Sequence, residues 1–192
     1  MNAVPDLVRK HPLSVDEYQR MADAGVFADG ARIELIEGEL FDMAPIGPDH
    51  QSLVDRLNEA FVLAVRREAI VRVQGPIVLG DRSAPEPDLS LLRRRESFYA
   101  DAHPRAPDVL LAVEVAHSSL AHDRDVKLPL YARYRVPEVW LVDVAGRTLT
   151  VYRDLGAGGY LRAERVEPSG PLAPTALPGA AVELRGLFVP GD

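Results

Sequence analysis

The sequence predicts an α/β fold, and three patterns along the chain support this prediction. Residues 109–115 and 138–143 are dominated by apolar side chains, which is typical of strands that helices cover on both faces. Residues 49–68 carry apolar side chains at helical spacing, so we expect a long helix there with Asp49 as its N-cap. Strand and helix patterns therefore alternate, as they do in a sheet with helices packed against it.

The first predicted elements are a helix and a hairpin. Ser14, followed by a glutamate three residues later, predicts a capping box that opens a helix reaching about Ala24. Residues 32–43 alternate around a Glu-Gly pair, which predicts two strands joined by a tight two-residue turn. In that register Glu34 and Glu39 lie diagonally on one face of the hairpin.

Shorter strands and one interrupted helix complete the predicted core. Residues 118–135 have a helical pattern, but Pro129 lies in its middle. The helix therefore either restarts with Pro129 in its first turn or is kinked there. Strands are expected at residues 69–73, 77–79, 88–92 and 148–152, the last of them paired with 138–143.

The domain organisation follows from length and from the distribution of glycine and proline. A chain of 192 residues is the usual size of one domain, so residues 1–192 are expected to form a single one. Its core is predicted at about residues 12–155. The tail, residues 156–192, is expected to be irregular, with short strands only near 160–162 and 182–184.

Composition excludes several classes of protein. With 47% hydrophobic and 27% charged residues, the chain has the composition of a soluble globular protein. It has no cysteine, which excludes disulfides and thiolate metal sites. The N-terminus lacks the apolar stretch of a signal peptide and no segment has the length and apolarity of a membrane span, so a cytoplasmic location is expected.

Charge limits the kind of nucleic-acid binding that is expected. A net charge of −7 argues against a high-affinity binder that reads DNA sequence, because such proteins neutralise phosphates with a basic face. The basic clusters are residues 66–67 and 93–95, and each could equally be a solvated part of the surface. A metalloenzyme is partly exempt, since metal binding neutralises its acidic site.

Three residues stand out as a candidate metal-dependent site. Asp88 opens an apolar strand, Glu114 interrupts an otherwise apolar one, and Lys127 follows in the next helical segment. Carboxylates are hard oxygen ligands for Mg²⁺, and a nearby lysine can stabilise the charge that develops during phosphodiester hydrolysis. The alternatives are a buried ion pair at Glu114, a turn cap at Asp88 and a helix-face pair of Lys127 with Asp123.

The other chemistry-bearing residues point to no competing site. His50 near a predicted helix start could reach a phosphate, although surface histidines are common there. His117 and His122 follow Glu114 without a spacing specific for zinc. The sequence has no phosphate-binding glycine motif of the GxxxxGK[ST] or GxGxxG kind.

Several motifs taken together resemble a known protein family. They are residues 32–40, 48–50, 87–90, 113–115, 123–127, 131–134 and 136–143. In combination they resemble the Uma-two family, bacterial proteins of the PD-(D/E)xK restriction-endonuclease-like superfamily. The resemblance covers roughly residues 12–155.

The resemblance implies a fold and a set of site residues. The fold is a restriction-endonuclease-like mixed central sheet flanked by helices, with an N-terminal helix and β-hairpin added. Asp88 matches the aspartate of the motif and Glu114 its second acid. The lysine expected two residues later is absent, since Ala116 stands there, and Lys127 is implied to replace it from the following helix.

The resulting functional expectation is a Mg²⁺- or Mn²⁺-dependent endonuclease that hydrolyses phosphodiester bonds in DNA. The metal ligands are expected to be Asp88, Glu114 and the backbone carbonyl of Val115. Glu34 is the first candidate for an additional acid, Glu39 the second. A homodimer is expected, because two sites related by a twofold axis cut both strands of a duplex most simply. The alternative is a catalytically inactive nuclease-fold protein that acts as a binding or regulatory module.

Overall fold

The centre of the computed structural model, which describes residues 9–188, is a six-stranded mixed sheet. Residues 1–8 and 189–192, the ends of the predicted single domain, lie outside the described residues. The strands of the sheet are β3 (Ala69–Val73), β4 (Leu89–Arg93), β5 (Val109–Ala116), β6 (Val139–Asp143), β7 (Thr148–Leu155) and β8 (Tyr160–Val166), in that spatial order.

The connections between strands explain the mixed character of the sheet. Neighbouring strands pair antiparallel except β5 and β6, which are parallel. A parallel pair requires a crossover, and here the crossover is helical. It consists of α3 (Leu120–His122), a π-helical turn (Asp123–Lys127) and α4 (Leu128–Arg133).

The π-helical turn resolves the alternative left open at Pro129. Pro129 lies in the first turn of α4, and the backbone is helical at Lys127 and Leu128, so α4 directly continues the π turn. A π turn holds more residues than an α turn, so it changes which side chains face the sheet. Lys127 at its end is fully buried.

The two faces of the sheet bury different side chains. Val113 and Val115 of β5 pack in one core with the helix α2 (Pro48–Val65), whereas Ala112 packs in a second core with Tyr131 of α4. Because side chains alternate along a strand, Glu114 shares the face of Ala112. The acid that interrupts this strand therefore points toward the helical crossover.

The N-terminal helix and hairpin form as the sequence predicts. Helix α1 (Val15–Asp23) begins with a full capping box between Ser14 and Glu17. Strands β1 (Ile33–Ile36) and β2 (Glu39–Asp42) pair in the expected register, with Glu34 opposite Phe41. Both residues of the turn have positive φ, 52° at Glu37 and 83° at Gly38, as a two-residue hairpin turn of this type requires.

Three predictions about the elements are wrong. Helix α2 has Gly47 rather than Asp49 at its N-cap, because Pro48 occupies the first helical position. It ends at Val65, since Arg66 adopts the left-handed conformation with φ 43°. Residues 77–79 are buried but form only an isolated bridge between Val78 and Arg105 instead of a strand.

The tail beyond residue 155 has strands at both predicted places, but it is more regular than expected, because the first strand is longer and joins the central sheet. Strand β8 pairs with β7 over seven residues and forms an edge of the central sheet. Strands β9 (Pro171–Leu172) and β10 (Val182–Glu183) form a small hairpin, and nearby apolar side chains such as Leu177 and Leu184 join the core beside α2. Exposed charges on β8 hide its strand pattern in the sequence.

Within residues 9–188, no helix has both the length and the apolar character needed to cross a membrane.

Candidate active site

A cavity of about 290 Å³ opens where the starts and ends of several elements meet. Asp88 lies directly before β4, and Glu114 lies near the end of the neighbouring strand β5. Because these two strands are antiparallel, the start of one lies beside the end of the other. The cavity walls include Arg32, His50, Glu86, Asp88, Glu114, His117, Ser119 and Asp123.

Lys127 is the electrostatic centre of the site. Its Nζ lies 2.8 Å from Glu34 Oε1 and 3.2 Å from Glu114 Oε2. Asp123 Oδ1 is farther from it, at 3.8 Å, so the pair four residues apart on the helix is the weakest of the three. The lysine side chain is 1% exposed, and its three acidic partners are equally buried. The lysine thus connects the hairpin, β5 and the helical crossover.

Both carboxylate oxygens of Asp88 make contacts that orient the side chain. The backbone N–H of Val115 donates to Oδ2 at 2.8 Å, and His50 Nε2 lies 3.1 Å from Oδ1. His50 belongs to the first turn of α2, so this helix start faces the carboxylate. Each carboxylate oxygen has a further lone pair, which leaves Asp88 able to accept one more ligand.

Glu114 is held by Tyr131 in addition to Lys127. The Tyr131 hydroxyl donates a hydrogen bond to Glu114 Oε1, and both side chains are buried. Burial raises the pKa of Glu114 well above its usual value, against the attraction of Lys127 and with further repulsion from Asp123, Asp88 and Glu34. Burial also raises the pKa of Asp123, which Lys127 and a hydrogen bond from Ser119 partly offset.

Lys127 keeps its positive charge despite burial. Burial by itself lowers the pKa of a lysine, but the carboxylates of Glu114, Glu34 and Asp123 outweigh that effect and raise the pKa above its usual value. One buried ammonium group therefore faces several carboxylates. The excess negative charge favours uptake of a proton or of a cation at the site.

The donor set fits a hard divalent cation. Buried oxygens of Glu34 and Asp123 lack a hydrogen-bond partner, and Asp123 lines the cavity. Within residues 9–188, however, no three His, Asp or Glu side chains are already arranged around a single metal position. Mg²⁺ commonly uses one or two carboxylates and completes its shell with water and substrate phosphate, so a site of this kind does not require three protein carboxylates.

Most of the residues singled out from the sequence come together. Asp88, Glu114, Lys127, Glu34 and His50 lie within one connected group of contacts.

Glu39 lies outside that group. It is exposed and pairs with Lys10 at 2.9 Å, because it sits at the hairpin turn. The described contacts of Val115 involve its N–H rather than its carbonyl, so the predicted carbonyl ligand stays a prediction.

Sequence reasoning missed three members of the site. Tyr131 and Asp123 belong to the motifs that resemble the family. A tyrosine or aspartate in a helical segment, however, has no local signal of burial. Glu86 donates its backbone N–H to Glu34 Oε1 at 2.8 Å, and its side chain lines the cavity. Burial and the charge of Glu34 raise the pKa of Glu86. Its position two residues before Asp88 is the only clue in the sequence.

The fold and the site together define a mixed α/β protein with a carboxylate cluster built around one buried lysine. The family model described as "Uma2: Putative restriction endonuclease" matches residues 15–185, and the chain belongs to this family. The resemblance drawn from the sequence motifs is thereby confirmed.

A solved structure confirms the predicted fold class. It is the crystal structure of a "putative nuclease belonging to DUF820" from Anabaena variabilis ATCC 29413, similar with a TM-score of 0.73. The match covers 92% of this chain and 98% of that chain at 19% sequence identity. At this identity the likeness shows the fold alone. No curated protein matches the chain.

Proposed function

We propose that this protein is a Mg²⁺- or Mn²⁺-dependent endonuclease that hydrolyses phosphodiester bonds in DNA. The observation that supports this best is the placement of Asp88 and Glu114 at adjoining strand ends, with Lys127 against Glu114. The family description supports the same reaction class. Asp88, Glu114 and Lys127 are the residues on which we base the site.

Each residue has a proposed task. Asp88 and Glu114 bind the divalent ion, and Val115 contributes its backbone carbonyl. The bound ion supplies the positive charge that activates a water molecule and stabilises the charge developing on the phosphate. His50 orients Asp88 through the contact of its Nε2 with Oδ1. Glu34 is the additional acid of the site.

Lys127 acts by electrostatics. Its ammonium group lies 3.2 Å from both oxygens of Glu114, so it fixes the orientation of that carboxylate and provides a buried positive charge behind it. It stands on the helical crossover rather than two residues after Glu114, where Ala116 is found. The π-helical turn delivers the lysine to the same carboxylate from a different element.

Cleavage of plasmid DNA tests the proposal. Purified protein with Mn²⁺ is expected to convert supercoiled plasmid, and Asp88→Ala is expected to abolish the conversion. Asp29→Ala, which removes an aspartate with no contact in the site, is the matched control and should cleave normally. Equal cleavage by wild type and Asp88→Ala would remove Asp88 from the mechanism.

Calorimetric titration separates the nuclease from the alternative of an inactive nuclease-fold module. Wild type with a working site should bind Mn²⁺. Glu114→Ala should lose that binding, because it removes a carboxylate from the centre of the cluster, at a residue that is 2% exposed. Failure of wild type to bind Mn²⁺, even with DNA present, would favour the binding or regulatory module. The absence of a lysine two residues after Glu114 and the net charge of −7 support this alternative.

A further inference from the structure

An unusual concentration of arginine lies at one edge of the central sheet. Strand β3 is an edge strand, and Ala69 at its start pairs with Arg93 at the end of β4. Residues 70–73 pair with the earlier part of β4, but Arg72 reaches residues 98 and 99 with its side chain, and we name residues 66–73 and 93–108 together the arginine edge. They hold seven arginines against four carboxylates, a charge of +3, which leaves −10 for the rest of the chain.

Aromatic side chains are interleaved with these arginines. The guanidinium of Arg94 lies 4.8 Å from the ring centroid of Phe98, and that of Arg95 lies 4.6 Å from the ring of Tyr99. Arg72 approaches the Tyr99 ring from β3, at 5.5 Å, and donates to the Phe98 carbonyl at 3.3 Å. The two segments are therefore joined by direct contacts and form one surface.

Phe98 is the exposed member of this surface. Tyr99 is buried and donates its hydroxyl to the Arg93 carbonyl at 2.8 Å, which anchors the loop. Phe98 is 52% exposed. Both residues have positive φ, 50° and 62°, a conformation that costs an L-residue about 1–2 kcal/mol. The loop thus keeps a large apolar ring in solvent beside a guanidinium. The exposed ring and the positive φ values are each unfavourable for folding.

We propose that the arginine edge binds a DNA strand, with its arginines on the phosphates and Phe98 stacked on an unpaired base. Arginine clusters with interleaved aromatic rings match a strand chemically, since every base offers a π face and every linkage a negative charge. A sheet edge with a charge of +3 on a protein of −7 is complementary to that polyanion. This inference rests on the proposed nuclease function and adds the surface that holds its substrate.

The distance to the cavity sets the length of strand that is required. Arg94 follows Asp88 by six residues along β4, which corresponds to about 20 Å of extended chain. A strand that rises 3.4 Å per nucleotide covers this distance with about six nucleotides. A probe well above six nucleotides in length therefore spans the arginine edge and the cavity together.

Fluorescence anisotropy with a labelled 20-nucleotide single strand tests the proposal. The titration is done in EDTA, so that cleavage does not consume the probe. Phe98→Ala should weaken binding about 5- to 150-fold, as expected for loss of one stacked base, and Phe98→Tyr should restore it. Arg94→Ala should lower the slope of log K against log salt by about 0.7, the value for one phosphate contact on a single strand.

Matched controls lie on the opposite edge of the sheet. Leu161 and Arg165 of β8 are exposed, and Leu161→Ala and Arg165→Ala should bind like wild type. Affinities of Phe98→Ala and Arg94→Ala within twofold of these controls would overturn the proposal, as would wild type that binds no strand at all. Equal losses on a blunt duplex would overturn the stacking of an unpaired base.

The nuclease function can fail without this surface failing. Wild type that binds the strand in EDTA through Phe98 and Arg94, yet cleaves nothing with Mn²⁺, would refute the activity and support the surface.

Discussion

At the scale of single residues, the site contains buried carboxylates that folding by itself does not require. Glu114 stands in a strand whose eight residues are all buried, and its carboxylate faces other acids across the cavity. A buried carboxylate is costly unless a cation or a proton neutralises it. Lys127 provides one positive charge for several acids, so stability and metal binding are expected to oppose each other here.

A stability measurement on Glu114→Gln tests that opposition. The pKa of Glu114 is raised in the folded state, so the folded protein binds the proton more tightly than the unfolded chain. The stabilisation from this tighter proton binding is fully present below the pKa of 4.5 in the unfolded chain. It is lost as pH rises through the pKa in the folded state. Glu114→Gln should therefore raise the melting temperature of the metal-free protein at pH 8, and by much less at pH 4.5.

The control for that measurement is an exposed acid. Glu39→Gln changes an exposed carboxylate at the hairpin that pairs with Lys10, and its melting temperature should stay close to wild type. A melting temperature of Glu114→Gln below that of wild type at pH 8 would show that the ionised carboxylate stabilises the fold.

Tyr131 is predicted to position Glu114 for metal binding. Removing the hydroxyl in Tyr131→Phe deletes its hydrogen bond to Glu114 Oε1 and frees that carboxylate to rotate. Loss of a partner of this kind typically costs 10- to 100-fold in metal affinity. Calorimetric titration with Mn²⁺ measures the change.

Tyr160→Phe is the matched control for Tyr131→Phe. Its hydroxyl donates to the Val136 carbonyl at 2.7 Å, in a part of the core outside the cavity. This variant should lose a buried hydrogen bond and some stability but bind Mn²⁺ with unchanged affinity. If Tyr131→Phe binds Mn²⁺ as tightly as Tyr160→Phe, the Tyr131 hydroxyl does not position Glu114 for metal binding.

At the scale of elements, local sequence signals predict the N-terminal part well. The Ser14 capping box and the Glu37-Gly38 turn act through their own backbone neighbourhoods, so the sequence contains all the information needed. The π-helical turn at Asp123–Lys127 has no such signal. It places a buried lysine against Glu34 and Glu114, which come from distant parts of the chain.

The capping box gives a prediction for element stability. Ser14→Ala removes the hydroxyl that accepts the Glu17 N–H, and should reduce the free energy of unfolding by about 1 kcal/mol. Urea denaturation measures the loss, and Mn²⁺ affinity should not change. Ser52→Ala, which alters an exposed serine inside α2, should be nearly neutral, so an equal loss in both variants would exclude a capping effect.

At the scale of the whole molecule, the predicted dimer is open to direct measurement. One chain offers one carboxylate cluster, and cutting both strands of a duplex is simplest with two such clusters related by a twofold axis. Light scattering at micromolar concentration should report about twice the chain mass of 21.0 kDa. A mass of one chain at every concentration would contradict the dimer and favour nicking or single-stranded substrates.

The sequence by itself determined the elements whose signals are local or periodic, together with the family. The apolar strands, the hairpin register and the exceptional Glu114 all follow from residues close together in the chain. Only the tertiary structure decided that Glu86, Asp123 and Tyr131 join the site and that residues 160–166 complete the sheet. The physical reason is that burial of a polar side chain depends on partners from other elements, whose approach is set by packing rather than by sequence spacing.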